Sequence, residues 1–306
     1  MSAIRTHGLA KTYPGADSGA VNGLDLEIPT GVVYCLLGRN GAGKSTTIRM
    51  LTTLLPPTAG TAEVLGVPLT DVRRLRPLIG VALQEVALDP WLSAREQLEF
   101  GLALAGWART ARRGRVDALI ERFGLEAVQR KRIGTLSGGM RRRVDVALAV
   151  SHDPRLLFLD EPSSGLDIEG KDELWRVISG LRDEGRTVVL TTHDMEEAMA
   201  LADHVGIIKA GRLIASGPAA ELTRARGARA RLTTPWPVSA EASTGLRAAG
   251  FPVTTDGDRA LTVELPAANA REIARLTAEL RSAGLADAEL RIDTTSLRDA
   301  FLEATR

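Results

Sequence analysis

Gly38-Arg39-Asn40-Gly41-Ala42-Gly43-Lys44-Ser45-Thr46 follows the apolar run Val32-Val33-Tyr34-Cys35-Leu36-Leu37 and leads into Ile48, Met50 and Leu51. The spacing is G-x-x-x-x-G-K-[ST]. The run before it reads as a buried strand and the residues after it as a helix, the setting this motif needs. Glycines let the backbone turn its N–H groups inward around phosphate oxygens, and the helix start adds partial positive charge. Lys44 would reach the β- and γ-phosphates of a nucleotide, and Ser45 would hold Mg²⁺. Average residue usage gives a chance match a probability of about one per cent in a chain this long, and the flanks lower it further. The stretch is a nucleotide-phosphate site.

Around it lie 306 residues, enough for one large domain or two unequal ones. Apolar content of 44% and charged content of 25% are those of an ordinary globular protein, and a net charge of +1 gives no global pull toward nucleic acid or anionic lipid. The lysines are few: Lys11, Lys44, Lys131, Lys171 and Lys209. Cys35 is the single cysteine, which excludes an internal disulfide and suits a small core residue. His7, His152, His193 and His204 show no metal-ligand spacing. The first residues lack an apolar signal core, and no apolar stretch approaches the roughly 20 residues of a bilayer span. The expectation is a cytoplasmic chain that crosses no membrane by itself.

Residues Ile4 to Ile28 alternate short apolar runs with the turn signals Pro14-Gly15 and Asn22-Gly23, and read as a small antiparallel sheet. Tyr13 is either a surface aromatic in a turn or a platform for an adenine ring. Ile79 to Leu83 is an apolar strand ending on Gln84, where α/β folds place ligand groups. Gln84 is either a ligand of Mg²⁺ or of the attacking water, or a plain loop residue. From Asp89 to His152 the pattern is mostly helical: Glu96–Leu104, then Val116–Phe123 with Gly124 as C-cap, then a helix opened by Leu136-Ser137-Gly138-Gly139. In that last helix Met140, Val144, Ala147 and Leu148 share one face. Arg141, Arg142 and Arg143 read as a solvated face, with a contact role left open. A second Gly-rich helix start is a second potential anion site, more than one triphosphate needs, which hints at a site completed by another subunit.

Leu156-Leu157-Phe158-Leu159 reads as a strand buried on both faces, and Asp160-Glu161 ends it. Carboxylates there do not serve core packing, because buried unpaired charge costs several kcal/mol. Asp160 suits a direct or water-mediated Mg²⁺ role, and Glu161 is placed to polarise a water for in-line attack on the γ-phosphate. Ser163 to Asp167 is a turn. Thr187 to Thr192 is another buried strand, ending on His193. As the third polar strand end beside Gln84 and Glu161, His193 favours a γ-phosphate contact. Val205–Ile208 and Gly211–Ala215 form a closing hairpin, and Leu222 to Arg229 reads as a linker. Beyond it, strands at Arg229–Thr233, Phe251–Thr255, Leu261–Leu265 and Leu290–Ile292 alternate with helices at Ala240–Ala249, after Asn269, and at Ser296–Ala304. The order β-α-β-β-α-β plus a helix suggests a split-βαβ domain of ferredoxin-like type.

In this order, the phosphate loop, glutamine loop, Leu-Ser-Gly-Gly helix start, acidic strand and histidine strand resemble an ABC transporter ATP-binding subunit over about residues 3 to 222. More narrowly, Gln84-Glu85-Val86-Ala87-Leu88-Asp89, Ser137-Gly138-Gly139-Met140-Arg141-Arg142-Arg143 and Ser296 to Leu302 resemble the daunorubicin-resistance branch of drug-exporter ATPases. The resemblance implies an α/β P-loop fold over residues 1–225, with a mixed core sheet, an antiparallel β subdomain and a helical subdomain at about 86–152. Residues 226–306 would form the small accessory domain. It implies that Tyr13 stacks on adenine, that Gly38, Asn40, Gly41, Gly43, Lys44, Ser45 and Thr46 bind the phosphates of ATP, and that Gln84 senses the γ-phosphate. Ser137, Gly138 and Gly139 would close over ATP on the opposite subunit. Asp160 would support Mg²⁺, Glu161 would be the general base, Asp167 would join the two sites, and His193 would hold the γ-phosphate. Met140 stands where much of the superfamily has glutamine.

The partners implied are a separate polytopic permease and a second copy in a head-to-tail dimer, at the cytoplasmic face of the membrane, with no nucleic acid. The alternative is a non-transport ABC ATPase acting on ribosomes or nucleic acid. One cassette, no long heptads and no cysteine cluster weigh against it. A small-molecule kinase is a weaker rival.

Overall fold

A computed structural model describes residues 2–224, 228–265 and 270–294. The chain divides into two compact units, residues 1–217 and 218–306. The first begins with β1 (Ser2–Lys11), β2 (Val21–Pro29), β3 (Val33–Leu37), α1 (Lys44–Leu51), β4 (Ala59–Val64), β5 (Val67–Pro68), α2 (Val72–Leu75) and β6 (Ile79–Ala82). Three helices follow: α3 (Ala94–Leu104), α4 (Arg109–Arg122) and α5 (Gly138–Val150). The unit closes with β7 (Leu156–Asp160), α6 (Ile168–Asp183), β8 (Thr187–Thr192), α7 (Met195–Leu201), β9 (His204–Lys209) and β10 (Arg212–Pro218).

Two sheets carry this unit. One is antiparallel, in the order β2-β1-β4-β5, and the other runs β10-β9-β3-β8-β7-β6. In the larger sheet β9, β3, β8, β7 and β6 are parallel neighbours, and the Ala210-Gly211 turn, at φ 47 and 75, folds β10 back in hairpin geometry. β3, β7 and β8 are buried throughout, which is why apolar residues stand consecutively in them, at Val33–Leu37, Leu156–Leu159 and Val188–Leu190, rather than alternating. Tyr34, Leu36, Ile48, Met50, Phe158 and Val189 pack with Ile4, Leu9, Leu24, Ile28 and Val64 in one core joining the two sheets through α1. Burying each large apolar side chain there contributes about 1.5–3 kcal/mol, so the strand, loop and helix of the phosphate motif are clamped from both sides. Cys35 lies wholly inside β3, and burial pushes its thiol well above the usual range.

Several expectations change in detail. Asn22-Gly23 is not a hairpin turn. It lies inside β2, where Gly23 at φ 67 sits in a bulge that shifts the register between Leu9↔Leu24 and Lys11↔Val21. α3 starts at Ala94, because Ser93 and Glu96 form a reciprocal capping box. α4 begins at Arg109, ahead of the apolar residues that mark it in the sequence, and has no side-chain cap at Ala108. Its end matches the reading: Gly124 sits at φ 60, with Gly124 N–H on Glu121 O and Leu125 N–H on Ile120 O. The sequence reading assigns no element to residues 168–183. There α6 buries Leu174, Ile178 and Leu181 and is capped by Asp167.

The second unit contains α8 (Ala219–Arg224), β11 (Ala228–Thr233), α9 (Ala240–Ala248), β12 (Val253–Thr255), β13 (Ala260–Leu265), α10 (Ala270–Ser282) and β14 (Glu289–Thr294). Its sheet runs β12-β13-β11-β14 with every pairing antiparallel. Leu232, Leu246, Phe251, Leu261, Val263 and Leu276 form its separate core. Of the stretch read as a linker, Leu222–Arg224 ends α8 and Ala228-Arg229 opens β11, while residues 225–227 lie outside the described residues. The Asn269 cap and the helix expected from Ser296 lie outside the described residues.

Candidate active site

The parallel strands deliver Gly38, Gln84, Glu161 and His193 from their carboxyl ends, the edge at which open α/β sheets place ligands. Residues Asn40 to Thr46, with Gln84, Glu161, Ser164 and His193, line one cleft of about 410 Å³. Gly43 is required twice over. Its φ is 105, and a Cβ would stand 2.4 Å from Ala20 O. α1 therefore starts in a left-handed residue and carries no side-chain cap.

Lys44 lies folded along the loop. Its Nζ donates to Gly38 O at 2.8 Å and Arg39 O at 3.3 Å, and pairs with Glu161 Oε1 at 3.1 Å. The other carboxylate oxygen of Glu161 is 2.6 Å from His193 Nδ1. Lys44 and Glu161 are both about 95% buried, whereas the His193 side chain is half exposed. Glu161 itself takes φ 51, a left-handed conformation that costs a non-glycine residue about 1–3 kcal/mol. Its N–H donates to Thr191 O and Thr191 Oγ1, both at 3.1 Å, which holds the residue in that state.

Asp160 is buried beside it. One carboxylate oxygen accepts from Ser45 Oγ at 3.1 Å and, in a short bond, from Thr191 Oγ1. The other, Oδ2, is buried without a hydrogen-bond partner. A buried carboxylate oxygen left so is costly, and beside a serine hydroxyl it has the chemistry of a hard divalent cation site. Among the described residues no three His, Cys, Asp or Glu side chains converge as a metal cage. Mg²⁺ needs none, because it is held through one or two carboxylates together with substrate phosphates.

The remaining candidates stand apart from the cleft lining. Tyr13 is exposed, with its hydroxyl 3.4 Å from Thr46 Oγ1 and Lys11 Nζ 5.9 Å from its ring centre. Ser137 caps α5 by accepting from Met140 N–H at 3.2 Å, and neither it nor Gly138 and Gly139 line the cleft. Asp167 caps α6 by accepting from Gly170 N–H at 2.9 Å.

Two features escaped the sequence reading. The arginine run is not a solvated face: Arg142 is 4% exposed, and its guanidinium donates to Asp160 O at 2.7 Å and Pro162 O at 3.1 Å. It also donates to Leu83 O and pairs with Asp145 at 2.9 Å. Arg143 turns instead to Glu173 on α6. The second feature is a buried set behind Glu161. Ser163 Oγ donates to Glu197 at 2.5 Å and accepts from Trp175 Nε1 at 2.9 Å, and burial raises the Glu197 carboxyl. Neither pattern is visible in spacing, because each depends on which helix face meets the sheet.

A family model described as ABC transporter matches residues 21–164. A daunorubicin/doxorubicin resistance ATP-binding protein of Streptomyces peucetius is 46% identical over 226 residues, covering 74% of this chain and 68% of the relative. A daunorubicin resistance ATP-binding protein of Streptomyces coeruleorubidus is 40% identical over 311 residues, covering 99% of this chain and 96% of the relative. Among solved structures, the ATP-binding cassette MJ0796, dimeric in a post-hydrolysis state with ADP and Pi, superposes with a TM-score of 0.66 at 25% identity, over 70% of this chain and 98% of that one. The strand-end cleft and these likenesses agree: the chain belongs to the ABC transporter family, as an ATP-binding and ATP-hydrolysing subunit.

Proposed function

We propose that this ATPase powers export of a drug-like or lipophilic compound through a separate polytopic permease, working from the cytoplasmic face of the membrane. The names of the two resistance relatives support the substrate class. The naming of those relatives as ATP-binding proteins supports a transport path in a separate chain, and among the described residues no helix is long and apolar enough to cross a bilayer. A second copy, head to tail, supplies Ser137, Gly138 and Gly139 to the ATP held by the first. The dimeric form of the structural relative supports that arrangement.

The observation that carries the reading is the chain Lys44–Glu161–His193 across the mouth of the phosphate loop, with Lys44 and Glu161 buried and His193 reaching solvent. When nucleotide enters, Lys44 exchanges its hold on the loop carbonyls and Glu161 for the β- and γ-phosphates. Glu161, freed from Lys44, takes the proton of the attacking water, and His193 and Gln84 contact the γ-phosphate end. Ser45 and Asp160 hold Mg²⁺, which offsets phosphate charge when bound. Tyr13 stacks on the adenine, and Asp167 faces the second site. Residues 226–306 form an accessory domain of ferredoxin-like type.

Glu161→Gln tests the assignment. Nucleotide binding is retained, while turnover falls by about 10²–10⁴, the usual worth of a general base. Equal loss of binding and turnover would remove Glu161 from that role. For the transport reading, the tagged chain isolated from gently solubilised membranes brings a stoichiometric polytopic protein with it. Ribosomal proteins or nucleic acid in its place would overturn the reading.

A further inference from the structure

The guanidinium group is a planar fork with five N–H donors in fixed directions, so a buried arginine that uses several of them fixes its acceptors relative to one another. Arg142, one turn into α5, does this with three backbone carbonyls. Nη2 donates to Asp160 O at 2.7 Å and Nε to Pro162 O at 3.1 Å, the residues on either side of Glu161. Nη1 donates to Leu83 O, the residue before Gln84, and to Asp145 Oδ2 at 2.9 Å. The side chain is enclosed, only 4% exposed. Glu161 is meanwhile held at φ 51, a conformation that persists only where its surroundings over-determine it.

We propose that Arg142 is a positioning residue for ATP hydrolysis, whose fork sets the backbone around Glu161 and Gln84 and ties both to the helix that Ser137, Gly138 and Gly139 begin. It touches no reacting atom. It acts through the backbone, and because α5 is a rigid rod, a displacement of that helix start is carried into the placement of the acid in the same subunit. The inference rests on the roles given above to Glu161 and Gln84. A buried ion pair is itself weak evidence for stability, since apolar residues of similar volume often replace one without loss. Its geometry is what an apolar pair cannot reproduce.

Two variants of the full-length chain test this, each read by thermal unfolding, trinitrophenyl-ATP titration and steady-state Mg·ATP hydrolysis. Arg142→Lys keeps the charge and loses the fork. Arg142→Met with Asp145→Leu removes the pair without leaving a buried charge. Misplacement of a reacting group by about 1 Å costs about 10²-fold, so kcat is expected to fall ten- to hundredfold in both, with nucleotide affinity within about twofold of wild type. If Arg142→Lys does not fold, the double variant decides alone. A folded double variant with wild-type kcat reduces Arg142 to packing and overturns the proposal. A double variant that does not fold, or that loses nucleotide affinity in step with kcat, overturns it too. Glu161→Gln run in parallel separates the two failures. Wild-type turnover there removes the base assignment, whereas loss of turnover there with full turnover in the Arg142 variants removes only this proposal.

Discussion

The two glycine-rich helix starts of the first unit have similar composition and different construction. α1 begins at Gly43 in a left-handed conformation with no side-chain cap, inside the cleft that also holds Glu161 and His193. α5 begins at Ser137 in extended conformation, with that side chain accepting from Met140 N–H, and lines no part of the cleft. A helix start whose backbone donors are not answered by its own side chains is a receptor for an anion. A start already capped by serine is a stable surface, able to present that hydroxyl to something brought to it. In the proposed dimer, one start holds ATP and the other closes over it.

The largest effect should fall on the uncapped start. Lys44→Ala is expected to weaken nucleotide binding by about a hundredfold or more, since each hydrogen bond from a charged group contributes about 1.5–3 kcal/mol; equilibrium titration with a fluorescent nucleotide reads it. Ser137→Ala should leave that titration unchanged in dilute chain and lower kcat about ten- to hundredfold where subunits pair. Loss of a cap worth about 1 kcal/mol would also lower its unfolding temperature. A fall in dilute-chain affinity matching that of Lys44→Ala would mean that both starts serve one site, and the comparison would break.

Tyr13→Ala is expected to cost about tenfold in affinity, within the ~1–3 kcal/mol of base stacking, while Tyr13→Phe keeps it because the ring alone is used. The smallest effect concerns α5. Burial pushes the Asp145 carboxyl up to about 6, against the pull of the Arg142 guanidinium. Its charge is complete above that value and lost as the pH falls through it, so acidification removes the counter-charge of Arg142. Turnover should drop about two- to threefold with an inflection near 6. In Asp145→Asn that inflection should be missing from the pH profile, and if it persists another group is responsible.

What could be read from the sequence follows the same division. The places of the phosphate loop, Asp160-Glu161 and His193 at strand ends are legible because each follows directly on a run of consecutive apolar residues that marks a buried strand. α4 is legible only from Val116 onward, since its first two turns carry Arg109, Arg112, Arg113 and Arg115 and no buried apolar residue. Arg142 could not be told from its neighbours Arg141 and Arg143. One hundred degrees of helix rotation separate successive side chains, and only the packing of α5 on the sheet decides which of the three is enclosed. The Asn22-Gly23 pair misleads for a related reason: a residue fit for φ above zero serves a bulge as well as a turn, and the strand partner decides.

Cys35 lends itself to a different use. The sole thiol of the chain lies at the middle of β3, without solvent access, in the strand that leads into the phosphate loop. A thiol reagent can reach it only when that strand opens, so the rate of modification is a clock for opening of the nucleotide-binding core. A ligand that binds only the closed form at one hundred times its dissociation constant adds about 2.7 kcal/mol, which slows such a clock about a hundredfold. The sulfhydryl should therefore report ATP binding by an unmodified chain, with no fluorophore and no substitution.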